Sequence, residues 1–402
     1  MSREATHSAQ ANQASAPPDV TGPRIVMLLC VLALTLLGFV MIYSASSISA
    51  ITENADAASY LFDQLKFAGV GVVAAVVLWK LIPYRIWAGP AVWVIWGLAV
   101  ALLLLTAVTG LSALGAQRWL VLGPISLQPS EFVKIAIVLA AARLFSDLRA
   151  GALDTRTFIV QVLLVIVAPT AFLFTTQSDL GTTAIIAVGI LGVMWLGEVP
   201  LRTMLIVVAG FVVFAIAATV ISSYRGDRFL YLNPWNDGQG GQGRGYQIIH
   251  SYYAFSEGGI FGSGLGNSRE KYLYLPESET DFIFAIIGEE LGLVGALAVI
   301  GVFLALLWAG MRIARSAADD FGAMVAGALT IMLVFQAFLN IGCAIGVFPT
   351  TGKPLPFISS GGSSLIASFM MIGIVLSVSE DVAGKSIYDR RRDDLRVIRN
   401  KR

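Results

Sequence analysis

Residues 272–292 read YLYLPESETDFIFAIIGEELG. Glu277, Glu279 and Asp281 fall within five residues, and an apolar helical pattern that still carries Glu289 and Glu290 follows without a break. Only 13% of the 402 residues are charged, so this concentration is unusual. Carboxylates at the mouth of a membrane helix are costly unless water, a cation or a substrate offsets them, which makes them functional candidates. The plain alternative is that Glu277 and Glu279 solvate a loop while Asp281 caps the helix behind it.

Hydrophobic residues make up 56% of the chain and its mean hydropathy is +0.77. Soluble domains average roughly 45–50% apolar, so this composition belongs to an integral membrane protein. A net charge of +1 offers no basic excess for nucleic acid. Cys30 and Cys343 lie in apolar runs and suggest no disulfide framework. With two histidines, His7 and His250, and no CxxC or HExxH, a protein-ligated transition metal is not expected.

Residues 1–23 are rich in Ser, Ala, Gln and Pro and read as a disordered tail. The first apolar run, 25–43, is long enough to span and follows that polar tail, so it does not read as a secretory signal. Further runs lie at about 64–82, 88–109, 131–146, 157–175, 181–197, 201–222, 281–311, 321–347 and 361–379. The expectation is an all-α integral membrane protein with ten transmembrane helices in a domain over 24–382. An even count puts both termini on one side, and a two-to-one Lys/Arg bias, including the basic tail 383–402, makes that side cytoplasmic.

On this topology a large external loop, about 223–280, joins helices seven and eight. Its length points to function. It carries Arg225, Arg228 and Arg244, then EGGIFGSGLGNS, whose glycines let backbone N–H groups approach an anion; a compact lid of turns is the alternative. Neither GxGxxG nor GxxxxGK[ST] spacing is present, so this is no nucleotide site.

Three other external segments repeat the mixture of charge and turn residues. In GAQRWLVLGPISLQPSEFVK, Arg118 and Trp119 precede a short amphipathic piece, and Gln128, Ser130, Glu131 and Lys134 open the next span. Interfacial anchoring is the alternative for Trp119, and a local ion pair with Glu131 for Lys134. In TTQSDLGTT, Asp179 stands where a helix cap is the simple reading. In GVFPTTGKPLPFISSGGSSL, prolines and glycines around Lys353 imply a broken, partly re-entrant backbone that needs protein or water around it. Gly288-xxx-Gly292 and Gly342-xxx-Gly346 suit close helix contact. An outward cavity with carboxylates and cations suits deprotonation of a hydroxyl while a phosphate-bearing group leaves; a proton-coupled transporter is equally compatible.

The series MIYSAS, RWLVLGPISLQPSEFVKIA, QSDLGTT, LNPW, GYQIIHSYYAFSEGGIFGSGLGNSREKYLYLPESETDFIFAIIGEELGLVG and FPTTGKPLPFISSGGSS resembles the SEDS family of bacterial cell-wall proteins over nearly the whole chain between the tails. The form GLGNSREKYLYLPE is closer to the division and sporulation members than to the elongation members. The resemblance implies a ten-helix fold and a peptidoglycan glycosyltransferase that polymerises lipid II at the outer face of the cytoplasmic membrane, at the division septum. It implies pairing with a class B penicillin-binding protein and other divisome proteins. Asp281 matches the family's essential aspartate and takes the role of general base in an inverting displacement of undecaprenyl pyrophosphate. Arg118, Lys134 and Lys353 are candidate cations for the leaving group, followed by Arg244 and Lys271. Trp119, Gln128, Asp179, Glu277, Ser359 and Ser360 complete the candidate substrate site, and Glu277 with Asp281 could hold a divalent cation such as Mg or Mn.

Two departures from the family pattern stand out. Glu279 replaces a usual His or Gln and would raise the pKa of Asp281 if close, and Ser178 replaces a usual Pro. A lipid II flippase, an elongation-type polymerase and a divisome scaffold with a vestigial site are the competing readings. Few ionisable residues lie midway along the spans, against flipping; intact Asp281, Glu277 and Lys353 speak against a vestigial site.

Overall fold

The computed structural model describes residues 20–53, 56–109, 111–113, 116–122, 125–221, 233–243 and 245–400. Most of the expected N-terminal tail and Arg225, Arg228 and Arg244 lie outside this set. The chain is dominated by helices: α1 Thr21–Thr52, α2 Ser59–Val76 continuing into a π-helical turn Val77–Leu81, α3 Ala91–Thr109 and α4 Ser130–Arg149. Then come α5 Thr155–Val162, joined through a second π-helical turn to α6 Ala168–Gln177, α7 Leu180–Leu196, α8 Leu201–Ile221 and α9 Tyr246–Gly258. The last three are α10 Ile283–Arg315, α11 Asp320–Ala344 and α12 Gly362–Asn400.

Among the described residues, seven helical spans are long and apolar enough to cross a membrane: α1, α2 with its π turn, α3, α5–α6, α10, α11 and the Gly362–Val382 part of α12. The other three expected spans coincide with α4, α7 and α8. α4 carries Glu131, Lys134, Arg143, Asp147 and Arg149 along its length, and α7 has 17 residues. Aspartates start several helices as caps: Asp154 accepts from the Arg156 and Thr157 N–H groups, Asp179 from Thr182 and Asp319 from Gly322.

α11 and α12 form the centre, with 78% and 83% of their most apolar windows buried. α11 packs against α4, α7, α10 and α12, while α12 lies along α2. Polar side chains on α11 therefore face protein, where each must find a partner. Gly288 lets α10 approach α9 closely, since a Cβ there would overlap the Phe255 ring, while a Cβ on Gly292 would overlap the backbone at Ile260 and Gly262 in the following loop. Gly292 also breaks α10 with φ 68° and ψ −169°, a backbone open to glycine, so α10 enters the bundle as a short first piece and a long second one.

Among the described residues, one feature departs from an all-helical chain. Between α3 and α4 an antiparallel meander forms, β1 Leu111–Ala113, β2 Ala116–Leu122 and β3 Ile125–Leu127, ordered β1-β2-β3. Leu111 pairs with Trp119 and Leu120 with Leu127. The short apolar run Trp119–Leu122, rich in aromatic and branched residues, accounts for a strand where an amphipathic piece was expected. β2 packs against α3 and α6, which sets Arg118 beside the α6–α7 corner.

Candidate active site

An anion is cradled just beyond the glycines that follow α9, by residues 268–270, and it belongs to the chain itself. Glu289 accepts from the Arg269 and Glu270 N–H groups and from the Ser268 hydroxyl, while Glu290 accepts from Ser268 N–H and from the Ser44 hydroxyl at 2.6 Å. Lys271 Nζ reaches Glu290 at 3.3 Å and Ser44 at 3.2 Å, and both ionic side chains are buried. The two glutamates thus pin residues 263–271 onto the start of α10. Lys271 sits in that anchor and not among the groups around Asp281.

Asp281 does not cap α10. The residue before the helix is Phe282, which makes no side-chain cap, and the carboxylate of Asp281 accepts no hydrogen bond from any described residue. It is half-buried. Burial first, then the neighbouring Glu277, push its carboxyl up to about 6, against the pull of Lys353 and Arg118. The raising neighbour is therefore Glu277 and not Glu279. Glu279 does not solvate the loop either; it is buried, bonded to Ser278 at 3.1 Å, and burial raises its carboxyl as well. Glu277 adopts φ 56° and accepts from the Thr280 hydroxyl at 2.7 Å, while its carbonyl receives Phe282 N–H at 3.1 Å.

The backbone around Asp281 is held from the other side by the segment between α11 and α12. Ser359 donates its hydroxyl to the Thr280 carbonyl at 2.6 Å, and Ser360 N–H donates to the Glu279 carbonyl at 2.9 Å. Asn340 of α11 donates its amide to the carbonyls of Asp281 and Lys353, each at 2.8 Å. A Cβ on Gly352 would come within 3.4 Å of Asp281 Oδ2, and its φ of +65° also favours glycine. Ser359 and Ser360 thus position the carboxylate through its backbone.

Below lies a buried ionic chain. Lys353 Nζ contacts Asp179 Oδ2 at 2.7 Å and Glu131 Oε1 at 3.7 Å. Lys134 Nζ contacts Glu131 Oε2 and Gln336 Oε1, both at 2.6 Å. Two lysines balance two carboxylates, as buried charges require. Burial alone would raise the Asp179 carboxyl, but Lys353 and Arg118 outweigh it and hold it below its ordinary value. Asp179 is both the α7 cap and an ion-pair partner, and Lys134 makes the local pair the spacing suggested. Lys134 is fully enclosed, whereas Arg118 stays partly open and donates from Nε to the Gln177 carbonyl at 2.8 Å and from Nη2 to the Ser178 carbonyl at 3.2 Å.

Ser178 has φ 50° and ψ 31°. A proline ring fixes φ near −65°, so this corner has a shape that the usual family residue does not allow. Gln128 N–H donates to Ser363 at 2.9 Å, tying β3 to α12, and Trp119 lies half-buried in β2. Arg244 falls outside the described residues. Glu131, Gln336 and Asn340 belong to the site as well. Gln336 and Asn340 stand four apart in the otherwise apolar α11, a polar stripe that could have marked them.

The family model for cell cycle proteins that covers FtsW, RodA and SpoVE matches residues 24–383. Stage V sporulation protein E of Bacillus subtilis is 38% identical over 369 residues, covering 89% of this chain and 97% of that protein. The probable peptidoglycan glycosyltransferase FtsW of Trichlorobacter lovleyi is 40% identical over 367 residues, covering 88% and 92%. Among solved structures, a chain from a peptidoglycan synthase complex that coordinates polymerization and crosslinking superposes with a TM-score of 0.70 at 26% identity, over 89% of this chain and 97% of that one. The rod shape determining protein RodA of Thermus thermophilus does so with 0.64 at 27% identity, over 88% and 96%. With that match spanning both the bundle and the segments that build the Asp281 site, the chain belongs to the FtsW/RodA/SpoVE family of cell cycle proteins.

Proposed function

We propose that this chain is a peptidoglycan glycosyltransferase that polymerises lipid II into β-1,4-linked glycan strands, with Asp281 as general base. The observation that carries it is a carboxylate free of hydrogen bonds among the described residues, raised to about 6, and fixed through its own carbonyl. A general base works best with a pKa near the operating pH and an open oxygen for the incoming proton. The acceptor's 4-hydroxyl gives its proton to Asp281 as its oxygen bonds to the donor's anomeric carbon. In the same step the anomeric carbon–oxygen bond to undecaprenyl pyrophosphate breaks, with inversion. Inversion asks for one base and no covalent carboxylate.

Charge growing on the leaving pyrophosphate calls for fixed cations. Arg118 is the more available one, because Lys353 is already shared by Asp179 and Glu131. Lys134 supports Glu131 from below. Glu277 and Asp281 suit a Mg or Mn ion completed by substrate phosphates, since such ions are commonly held by one or two carboxylates; among the described residues no cluster of three or more metal-ligating side chains accompanies them.

The reading includes ten spans, α4, α7 and α8 being the three additional ones, with both termini cytoplasmic and the 223–280 loop outside. The family names of the curated relatives favour a septal role, and the solved synthase complex favours a class B penicillin-binding protein as partner. The test is glycan formation from purified lipid II by wild type and Asp281→Asn, each with and without that partner. Polymer from wild type alone of the two supports the reading; equal polymer from both removes Asp281 as base. Polymer from neither makes lipid II flipping the reading to measure.

A further inference from the structure

A cavity of about 440 Å³ opens beside the start of α9, lined by Gln242, Gly243, Tyr246, Gln247 and Pro276. It is separate from the ionic chain. Pro276 stands five residues before Asp281, so the two are at most about 18 Å apart along the chain. One wall is built around Asp237, whose carboxylate receives the N–H groups of Gly241 and Gln239 on one oxygen and Gly243 and Gly245 on the other. Those bonds, led by Gly241, hold the Asp237 carboxyl down at about 2, so this anion fixes the loop across the working pH range. Tyr246 in the lining is held by His250, whose ring lies 4.1 Å from its own and which is itself 2.6 Å from Glu270.

The described lining residues offer two side-chain amides and a phenol. The Gln242 and Gln247 amides and the Tyr246 hydroxyl make no hydrogen bond to any described residue. Amide donors and acceptors beside an aromatic ring fit a pyranose, which offers hydroxyl and acetamido groups at its edge and C–H groups on its face.

We infer that this cavity is a saccharide subsite that holds an N-acetylated hexose of the glycan strand near Asp281. The inference rests on the polymerase reading and adds to it a grip on the product several sugars long. Such a grip keeps the strand in place between successive additions, so it governs strand length more than the first linkage.

The experiment uses the full-length chain in detergent micelles with chitotetraose, a soluble β-1,4 N-acetylglucosamine tetramer, as probe. Calorimetry gives its Kd for wild type, Tyr246→Ala, Gln247→Ala and Asp281→Asn, with Tyr246→Phe as the variant that keeps the ring packing. Binding is expected to weaken about five- to tenfold in Gln247→Ala and in both Tyr246 variants, as for a lost neutral hydrogen bond, and to persist in Asp281→Asn. In lipid II assays the Tyr246 and Gln247 variants should make shorter strands. Unchanged Kd and unchanged strand length overturn the subsite, as does loss of penicillin-binding-protein association with chitotetraose binding intact. A wild type that binds chitotetraose with this dependence yet makes no polymer overturns the polymerase reading and leaves the saccharide site standing.

Discussion

Asn340 donates its side-chain amide to the backbone carbonyl of Asp281 at 2.8 Å, and its second N–H goes to the carbonyl of Lys353 at the same distance. One buried amide therefore sets the spacing between the proposed base and the loop that carries a cation. Asn340→Leu keeps the volume and removes both donors. We expect polymerisation kcat to fall about a hundredfold, the scale of a 1 Å misplacement, with KM for lipid II nearly unchanged. A large KM rise at constant kcat would assign Asn340 to substrate binding instead.

The Asp281 carboxyl lies near 6, raised by burial and by Glu277. The base must be ionised, so kcat/KM should climb as pH rises through about 6 and level above it. Glu277→Gln removes one raising charge and should move the midpoint to lower pH. Stability runs the opposite way. A carboxyl whose folded value exceeds its unfolded value near 3.9 loses folding stability as pH rises from about 4 through about 6. Asp281→Asn should therefore raise the melting temperature at pH 7.5 and change it little at pH 4, which thermal melts of the purified chain can read.

Lys353 passes close to Gly181, where a Cβ would fall 2.7 Å from Lys353 Cγ and 3.0 Å from Thr351. Gly181→Ala displaces this lysine without altering any charge. We expect at least a tenfold loss of polymerisation with the protein still folded, because the Asp179–Lys353 contact at 2.7 Å cannot persist unshifted. Lys353→Met leaves the Asp179 charge buried with one cation fewer and should cost about 3–5 kcal/mol. Full activity in Gly181→Ala would show that the position of Lys353 is immaterial.

The apolar runs placed the long helices correctly because burial in lipid demands about 20 apolar residues per span, a signal written into composition. Asp281 stood out in the sequence as a candidate for chemistry with a helix cap as the lesser alternative, and in the structure its carboxylate reaches no helix N–H. The meander around Arg118 was not legible, since an apolar run of four residues cannot be told from a helix segment by periodicity. Nor were Glu289 and Glu290 as loop anchors: their N–H partners at 268–270 lie about 20 residues away, and which backbone closes on a glutamate is decided by packing. Asn340 and Gln336 were missed because attention to charge passes over neutral amides inside an apolar helix.

Lys271 separates two accounts of the external loop. If it bound the leaving group, Lys271→Met would raise KM and leave the fold alone. In the structure it is buried against Glu290 and Ser44, joining residues 263–271 to α10 and α1. Removing the ammonium strands a carboxylate of which one oxygen, Oε2, already has no hydrogen-bond partner. We expect a destabilisation of about 3–5 kcal/mol and faster hydrogen exchange across residues 263–271. Adding Glu290→Gln to Lys271→Met removes the stranded charge and should recover most of the melting temperature. Because the anchor runs through the first piece of α10, which begins two residues after Asp281, the double variant should also regain activity. A variant pair that stays as unstable as Lys271→Met alone would show that the lysine acts through its packing and not through its charge.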